Sequence, residues 1–352
     1  MSNNSNEPLR VLVVDDSITA REIISSILES DPMVKVVGEA RNGREAIELT
    51  RRLKPDLITM DIKMPVMDGI EATKYIMAYI PTPIVIISQS AFNEGNAYVF
   101  QALEHGALEI LEKPDPNEWK DIPKIGEKLI KDIKTLSKVP VITHIGGKKL
   151  LKKRKTSKSD TPEAPPLKVV AVASSTGGPT ALLSMLSKIP LETRSSILIV
   201  QHIAEGFVEG LSEWLDSKCK IKVKLAQNGE KIEQGTAYIA PCSIHMVVTK
   251  DNTISFTDDP PVNSLKPAAD LLFYSVAEQY GEYSIGVVLT GMGKDGAEGS
   301  AEIKRAGGSV LVQDESSCLV YGMPKATVEM GVVDMISPLS SIGDNLMKLI
   351  EL

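Results

Sequence analysis

The sequence predicts an α/β protein in which two open, mostly parallel β-sheets follow one another along the chain. Short apolar runs alternate with helical patterns in residues 9–126 and again in residues 167–352, and a basic, proline-containing segment separates the two regions. Strands that alternate with helices are typical of parallel, doubly wound sheets, because each crossover helix covers one face of the sheet. The length of 352 residues also favours two domains of ordinary size.

The first predicted domain spans residues 9–126 and contains five candidate strands. They are residues 11–14, 34–37, 57–60, 84–87 and 108–111. Between the first two strands, residues 18–30 repeat apolar side chains at helical spacing, and Asn42 is placed to cap a second helix. We therefore expect a five-stranded parallel sheet.

Residues 127–166 are expected to contain the end of a helix and then a basic, flexible linker. The linker is identified by its lysines and arginine, followed by prolines: Lys148, Lys149, Lys152, Lys153, Arg154, Lys155, Lys158, Pro165 and Pro166. A run of like charges before prolines is typical of a solvated connector. Docking to an acidic partner or to a lipid surface is the alternative function.

The second predicted domain spans residues 167–352. Residues 169–173, 197–200 and 285–289 have the apolar character of buried strands, whereas residues 236–248 and 253–256 resemble the two strands of a hairpin. We expect a doubly wound α/β domain with a mostly parallel sheet and a β-hairpin.

Composition excludes several classes of protein. A formal net charge of −7 disfavours a protein that coats nucleic acid. The three cysteines form no C-x-x-C pair, which disfavours a disulfide framework or a structural zinc site. The sequence shows no signal peptide and no apolar run long enough to span a membrane. A cytoplasmic location is therefore expected, with membrane contact only through a partner.

Acidic side chains follow two candidate strands of the first domain. Asp15 and Asp16 come after the first strand and Asp61 after the third, while Ser88 and Lys113 follow the fourth and fifth strands. The carboxyl ends of parallel strands meet at one edge of the sheet. Three carboxylates there need a cation, and oxygen ligands suit Mg²⁺, which also binds phosphate oxygens.

This pattern resembles the flavodoxin-like receiver domain of two-component response regulators. The shared motifs are Val13-Val14-Asp15-Asp16-Ser17, Asp61-Ile62-Lys63-Met64-Pro65, Met67-Asp68-Gly69 and Lys113-Pro114. The resemblance implies that Asp61 accepts a phosphoryl group, which Ser88 and Lys113 then contact. It also implies a set of Mg²⁺ ligands: Asp15, Asp16, Asp61 and the backbone carbonyl of Lys63.

Three candidate catalytic residues lie at strand ends of the second domain. Ser175 occupies a glycine-rich turn between a strand and a helix, His202 follows a strand, and Asp295 lies in a glycine-rich loop after another. A serine, a histidine base and a carboxylate that orients the histidine form a nucleophilic triad. The serine turn alone could equally cap a helix or bind a phosphate. Ser174 is a rival nucleophile.

These motifs resemble the catalytic domain of chemotaxis protein-glutamate methylesterases. The shared motifs are Ser175-Thr176-Gly177-Gly178, Gln201-His202, Tyr238-Ile239-Ala240-Pro241, Leu289-Thr290-Gly291-Met292-Gly293, Asp295-Gly296, Ser317-Cys318 and Gly322-Met323-Pro324. The resemblance implies Ser175 as nucleophile, His202 as general base and Asp295 as its orienting group. It places Thr176 and Met292 near the oxyanion, and His245 matches a family position whose role the sequence does not explain.

The two resemblances together imply a phosphorylation-activated methylesterase, a carboxylic ester hydrolase of chemotaxis adaptation. Its substrates would be methylated chemoreceptors, its phosphodonor a chemotaxis histidine kinase, and glutamine deamidation a second activity of the same site. The esterase chemistry would need no cofactor, and no nucleic-acid partner is expected. The alternative is a receiver joined to a non-enzymatic phosphate- or nucleotide-binding output domain, which a serine-directed probe would distinguish.

Overall fold

The computed structural model describes residues 7–89, 96–114, 122–141 and 167–352. The basic part of the expected linker, residues 142–166, lies outside the described residues. Within the described ranges, no helix is both long and apolar enough to cross a bilayer.

The N-terminal unit contains a five-stranded parallel sheet in the order β2-β1-β3-β4-β5, which confirms the predicted flavodoxin-like architecture. The strands are β1 (Leu9–Val14), β2 (Val34–Ala40), β3 (Leu57–Met60), β4 (Ile84–Ser88) and β5 (Glu109–Glu112). The helices are α1 (Ile18–Glu29), α2 (Gly43–Leu53), α3 (Gly69–Tyr79), α4 (Gln101–Glu104) and α5 (Ile122–Leu136). As predicted, the Asn42 side chain caps α2, since its Oδ1 accepts a hydrogen bond from the Glu45 N–H at 3.0 Å.

The C-terminal unit contains a seven-stranded sheet in the order β14-β13-β12-β6-β7-β9-β8, and all of its strand pairs are parallel. Its strands are β6 (Lys168–Ser174), β7 (Ser195–Gln201), β8 (Lys222–Leu225), β9 (Thr236–Ile239), β12 (Ser284–Val288), β13 (Ser309–Gln313) and β14 (Met335–Ser337). A separate antiparallel hairpin consists of β10 (His245–Thr249) and β11 (Thr253–Thr257). The helices are α6 (Gly178–Leu186), α7 (Val208–Lys218), α8 (Ala269–Tyr280), α9 (Ala297–Arg305), α10 (Met323–Glu329) and α11 (Ile342–Glu351).

The prediction that residues 236–248 form one hairpin strand is wrong. β9 is fully buried and pairs in parallel with β7 and β8, so it belongs to the main sheet. Only β10 pairs with β11. Ser243, whose φ is +63°, lies between β9 and β10 in the turn that redirects the chain. Apolar residues on both sides of that turn made two strands resemble one.

One contact between the two units joins α7 to α4 and to Phe100, the residue that precedes α4. The rings of Phe100 and Trp214 stack with their centroids 5.4 Å apart. The Trp214 Nε1–H donates a hydrogen bond to the Glu104 carboxylate at 2.7 Å, and the Lys218 ammonium lies 2.8 Å from the same carboxylate. Because Phe100 and Trp214 are both buried, this contact removes apolar surface of each unit from water.

Candidate functional site

The two candidate nucleophiles, Ser174 and Ser175, have different environments at the turn between β6 and α6. Ser174 is the last residue of β6, is 0% exposed, and donates a hydrogen bond from its Oγ to Gln201 Oε1 at 2.6 Å. Ser175 is only half-buried and lines a cleft. Gln201 Nε2 donates to the Ser175 carbonyl at 2.9 Å, which ties the turn to the end of β7.

Two glycines of the motifs allow this turn to pack closely. A Cβ on Gly178 would overlap the Gln201 Oε1 that accepts the Ser174 hydrogen bond. A Cβ on Gly291 would lie 2.8 Å from the Ser175 Cβ. Both contacts would be closer than a Cβ atom can approach another heavy atom. A larger residue at either position would therefore displace the serine turn.

His202 and Asp295 form the second part of the site. His202 follows β7, and its Nε2 lies 2.9 Å from Asp295 Oδ2. When Nε2–H donates to Asp295, the neutral imidazole keeps Nδ1 as the acceptor. In the described structure Ser175 Oγ makes no hydrogen bond to this ring. Hydrogen bonds between catalytic groups are often long or poorly aligned before substrate binds. The missing hydrogen bond therefore does not exclude Ser175 and His202 as nucleophile and base.

Asp295 is buried, with 1% of its surface exposed. Burial by itself raises the pKa of Asp295, but the His202 hydrogen bond and charge lower it, as do the N–H groups of Ala269 and Asp270. Those two N–H groups, at the start of α8, donate to the Asp295 carboxylate at 2.7 and 3.0 Å. The net effect is a lowered pKa, so Asp295 is the anionic partner that an imidazolium needs.

His245 lies outside this pair and is fully buried at the start of β10. Its Nδ1 accepts a hydrogen bond from the Ala268 N–H at 3.1 Å, and its Nε2 lies 3.3 Å from the Pro260 carbonyl, to which it donates. His245 therefore holds the residue that precedes α8, next to the two N–H groups that bind Asp295.

The remaining predicted residues border the same cleft. Its volume is about 1190 Å³, and its walls include Ser175, Thr176, His202 and Met292. The Thr290 hydroxyl donates to the Thr176 carbonyl at 2.9 Å, which joins the serine turn to the loop that carries Met292. The opposite wall comes from the N-terminal unit, through β5 and part of α5.

Glu109, at the start of β5, is a cleft residue that sequence reasoning missed. Its Oε2 accepts a hydrogen bond from the Gly177 N–H at 2.7 Å, and its Oε1 accepts one from its neighbour Ile110. Burial raises the pKa of Glu109 to about 7, and the two N–H donors only partly oppose this. No local pattern marked it, because its partner lies in the other unit.

The predicted acidic cluster is assembled at the carboxyl edge of the first sheet. Carboxyl oxygens of Asp15, Asp16 and Asp61 all lie within 4.8 Å of one another. Lys113 Nζ lies 2.6 Å from Asp15 Oδ2 and 2.9 Å from Asp61 Oδ2. Burial raises the pKa of Asp61, and Lys113 opposes that shift. Ser88 is half-buried at the end of β4, and Lys63 is exposed.

The donor set of this cluster fits a hard divalent cation. Asp15 Oδ2 is buried and, although it is close to Lys113 Nζ, it receives no well-directed hydrogen bond. A buried carboxylate oxygen with free acceptor capacity, beside two further carboxylates, matches the oxygen ligands that Mg²⁺ prefers. The cluster is therefore compatible with Mg²⁺ binding.

Comparison with protein-family models gives two matches. Residues 170–346 match the CheB methylesterase model, and residues 11–122 match the response regulator receiver domain model. The two matches correspond to the C-terminal and N-terminal units of the structure.

Individual relatives resemble the chain over nearly its whole length. A protein-glutamate methylesterase/protein-glutamine glutaminase of Pyrococcus horikoshii is 39% identical over 348 residues, which cover 98% of this chain and 94% of the relative. Protein-glutamate methylesterase/protein-glutamine glutaminase 4 of Myxococcus xanthus is 42% identical, with 97% of each chain covered. The crystal structure of the Thermotoga maritima CheB methylesterase catalytic domain is 37% identical with a TM-score of 0.50, covering 53% of this chain and 99% of its own.

Proposed function

This chain belongs to the CheB methylesterase family and carries a response regulator receiver domain, and from that premise we propose that Ser175, His202 and Asp295 hydrolyse glutamyl methyl esters of chemoreceptors. Relatives of the chain carry the name protein-glutamate methylesterase/protein-glutamine glutaminase, so we assign deamidation of receptor glutamines to the same site as a second activity. The family match favours this enzyme over the alternative that the sequence left open, a non-enzymatic output domain.

The observation that carries the proposed triad is the pair formed by His202 and Asp295 in the cleft lined by Ser175. The 2.9 Å contact and the lowered pKa of Asp295 provide a carboxylate that can orient an imidazole and stabilise its protonated form. Ser174 is a weaker candidate, because its hydroxyl is buried and already donates to Gln201.

The proposed reaction has two steps. Ser175 Oγ attacks the ester carbonyl while His202 Nδ1 takes its proton, and the imidazolium then protonates the departing methanol. Water attacks the acyl-enzyme with His202 again as base, which releases the glutamate and regenerates the serine. Backbone N–H groups at Thr176 and Met292 are proposed to bind the oxyanion, with about 2.7–4 kcal/mol of transition-state stabilisation per donor.

Regulation is proposed to act through access to this cleft. The receiver forms one wall, and its Glu109 contacts the turn after Ser175. We propose that a receptor segment and the receiver compete for that space. Phosphorylation of Asp61, with Ser88 and Lys113 as phosphoryl contacts, is proposed to shift the population towards an open arrangement. A chemotaxis histidine kinase would be the phosphodonor.

The acidic cluster supplies the proposed metal site of the receiver. Asp15, Asp16, Asp61 and the Lys63 carbonyl would hold Mg²⁺, whose charge offsets that of the incoming phosphoryl group. The hydrolysis proposed for Ser175, His202 and Asp295 does not involve this ion. We also propose a cytoplasmic location, where the receptor methylation sites and the kinase are accessible.

The decisive test is methanol release from methylated chemoreceptor membranes, measured with and without a small-molecule phosphodonor and Mg²⁺. We expect release that depends on the enzyme and rises on phosphorylation, and labelling of Ser175 by a serine-directed phosphonate. Absence of methanol release together with an unlabelled serine would refute the proposed site.

A further inference from the structure

Helices α8 and α9 bind each other's acidic residue at their N-termini. The first N–H groups of α8, from Ala269 and Asp270, donate to the Asp295 carboxylate at 2.7 and 3.0 Å. In return, Asp270 Oδ1 accepts hydrogen bonds from the N–H groups of Gly296 and Gly299, at the start of α9, at 2.9 and 2.8 Å. Four hydrogen bonds therefore join α8 to Asp295 and to the start of α9.

One of these hydrogen bonds involves Gly296, the residue next to Asp295 in the chain. Gly296 follows Asp295 directly, has a φ of +90°, and also donates to Asp295 Oδ1 at 3.1 Å. Asp270 therefore accepts a hydrogen bond from the peptide group between Asp295 and Gly296. The orientation of that peptide sets the direction in which the Asp295 side chain leaves the backbone, and so its approach to His202.

The surroundings of Asp270 explain why its charge also matters. Asp270 is 1% exposed, and burial raises its pKa to about 6, with the nearby Asp295 and Glu298 carboxylates adding to the shift. Above that pH the Asp270 anion faces two helix N-termini, which favour negative charge. It adds a second negative charge next to Asp295.

We infer that Asp270 is a positioning residue of the hydrolytic site, which fixes Asp295 against His202 and strengthens the field that stabilises the imidazolium. This inference rests on the proposed triad of Ser175, His202 and Asp295. Asp270 touches neither substrate nor reacting atoms, so its effect must pass through Asp295.

Two substitutions separate the hydrogen bonds of Asp270 from its charge. Asp270→Asn keeps an oxygen that can accept from Gly296 and Gly299 but removes the charge, whereas Asp270→Ala removes both. Glu278→Gln is the matched control, because it neutralises an exposed carboxylate of α8, the helix that carries Asp270. Each variant is made in the full chain and assayed with phosphodonor, Mg²⁺ and methylated receptor, and thermal unfolding reports the folded fraction.

For Asp270→Ala we expect kcat to fall by about 100-fold with KM nearly unchanged, since a misplaced catalytic group costs rate rather than binding. For Asp270→Asn we expect kcat within about 10-fold of wild type, and the acidic limb of the kcat/KM profile moved about half a pH unit lower. That direction follows because a missing negative charge makes the His202 base available at lower pH. The His202–Asp295 N–H proton signal in NMR should weaken only in Asp270→Ala.

Three outcomes would overturn the inference. One is an Asp270→Ala kcat, per folded enzyme, equal to that of Glu278→Gln. Another is an Asp270→Asn variant as slow as Asp270→Ala. The third is an acidic limb that does not move in Asp270→Asn. Asp295→Asn, measured alongside, tests the proposed triad itself. If this variant stays fully active, the proposed triad is wrong.

Discussion

Glu109 of the receiver accepts a hydrogen bond from the Gly177 N–H of the catalytic unit over 2.7 Å. Gly177 precedes α6 and lies two residues after Ser175. The N–H groups at the start of a helix have no partner within the helix and need an acceptor from elsewhere. The receiver supplies that acceptor, so one side chain joins the regulatory unit to the turn that carries the proposed nucleophile.

The first prediction concerns the pH dependence of this contact. In the docked arrangement burial raises the pKa of Glu109 from its ordinary value of 4.5 to about 7, and we expect that pKa to fall when opening exposes the carboxyl to water. The docked state then binds more protons than the open state and weakens as pH rises through about 7. We expect the activity of the unphosphorylated full chain, divided by that of a receiver-free fragment, to increase between about pH 6 and pH 8. The division removes the pH dependence of the triad itself.

Substitutions of Glu109 provide the control for this prediction. Glu109→Gln imitates the protonated acid and should give a flat, low ratio across the same range, whereas Glu109→Ala loses the contact and should give a high one. A ratio that rises equally in wild type and Glu109→Gln would show that another group controls docking.

The second prediction concerns the two serines. Ser175→Ala should reduce esterase activity by about 10⁴-fold or more, because members of a triad act as a unit. Ser174→Ala should cost about 1 kcal/mol of stability through its lost hydrogen bond to Gln201 and leave activity within about 10-fold of wild type. Initial rates of methanol release and thermal unfolding measure the two effects. The reverse pattern of activities would assign the nucleophile to Ser174.

The third prediction concerns phosphorylation. Asp61→Asn should abolish the stimulation by phosphodonor and Mg²⁺ while basal methanol release persists, because Asp61 belongs to the receiver cluster and not to the hydrolytic cleft. Asp344→Asn, which neutralises an exposed carboxylate of α11, is the matched control and should respond like wild type.

Deletion through about residue 138 should raise activity above that of the unphosphorylated full chain. A fragment no faster than the intact chain would exclude inhibition by the receiver.

The fourth prediction concerns the contact between α4 and α7. Glu104→Ala removes the acceptor of the Trp214 Nε1–H and the partner of Lys218. Loss of these interactions should weaken docking by about 1–3 kcal/mol and raise basal activity by up to about 100-fold. The rate of the receiver-free fragment sets the ceiling. Lys188→Ala, which loses only an exposed pair with Asp344, should leave basal activity unchanged.

Much of the architecture could be predicted from local sequence. Strands such as β3 and β7 are buried along their whole length and consist mainly of apolar residues, and turn residues such as Asn42 mark helix starts. The acidic cluster could also be predicted, because the carboxyl ends of parallel strands share one edge of a sheet. These features depend on residues close in sequence or on a general rule of topology.

Other features depend on contacts between distant segments. The sequence did not indicate that β9 joins the main sheet, because its four buried residues look the same in a hairpin and in a central parallel strand. Asp270 resembles an ordinary acidic residue in the first turn of a helix, and Glu109 an ordinary residue of a strand. Only tertiary structure brings Asp270 to Gly296 and Glu109 to Gly177.

Strand β5 carries Glu109 at one end and is followed by Lys113, which binds Asp15 and Asp61, at the other. If closure of the cleft and the state of Asp61 are coupled through this strand, the coupling is reciprocal by thermodynamic necessity. A methylated receptor that displaces the receiver then favours the phosphorylated form by the same factor by which phosphorylation favours receptor binding. The receptor thus becomes an effector as well as a substrate, and heavily methylated receptors would promote retention of the signal that removes their methyl groups.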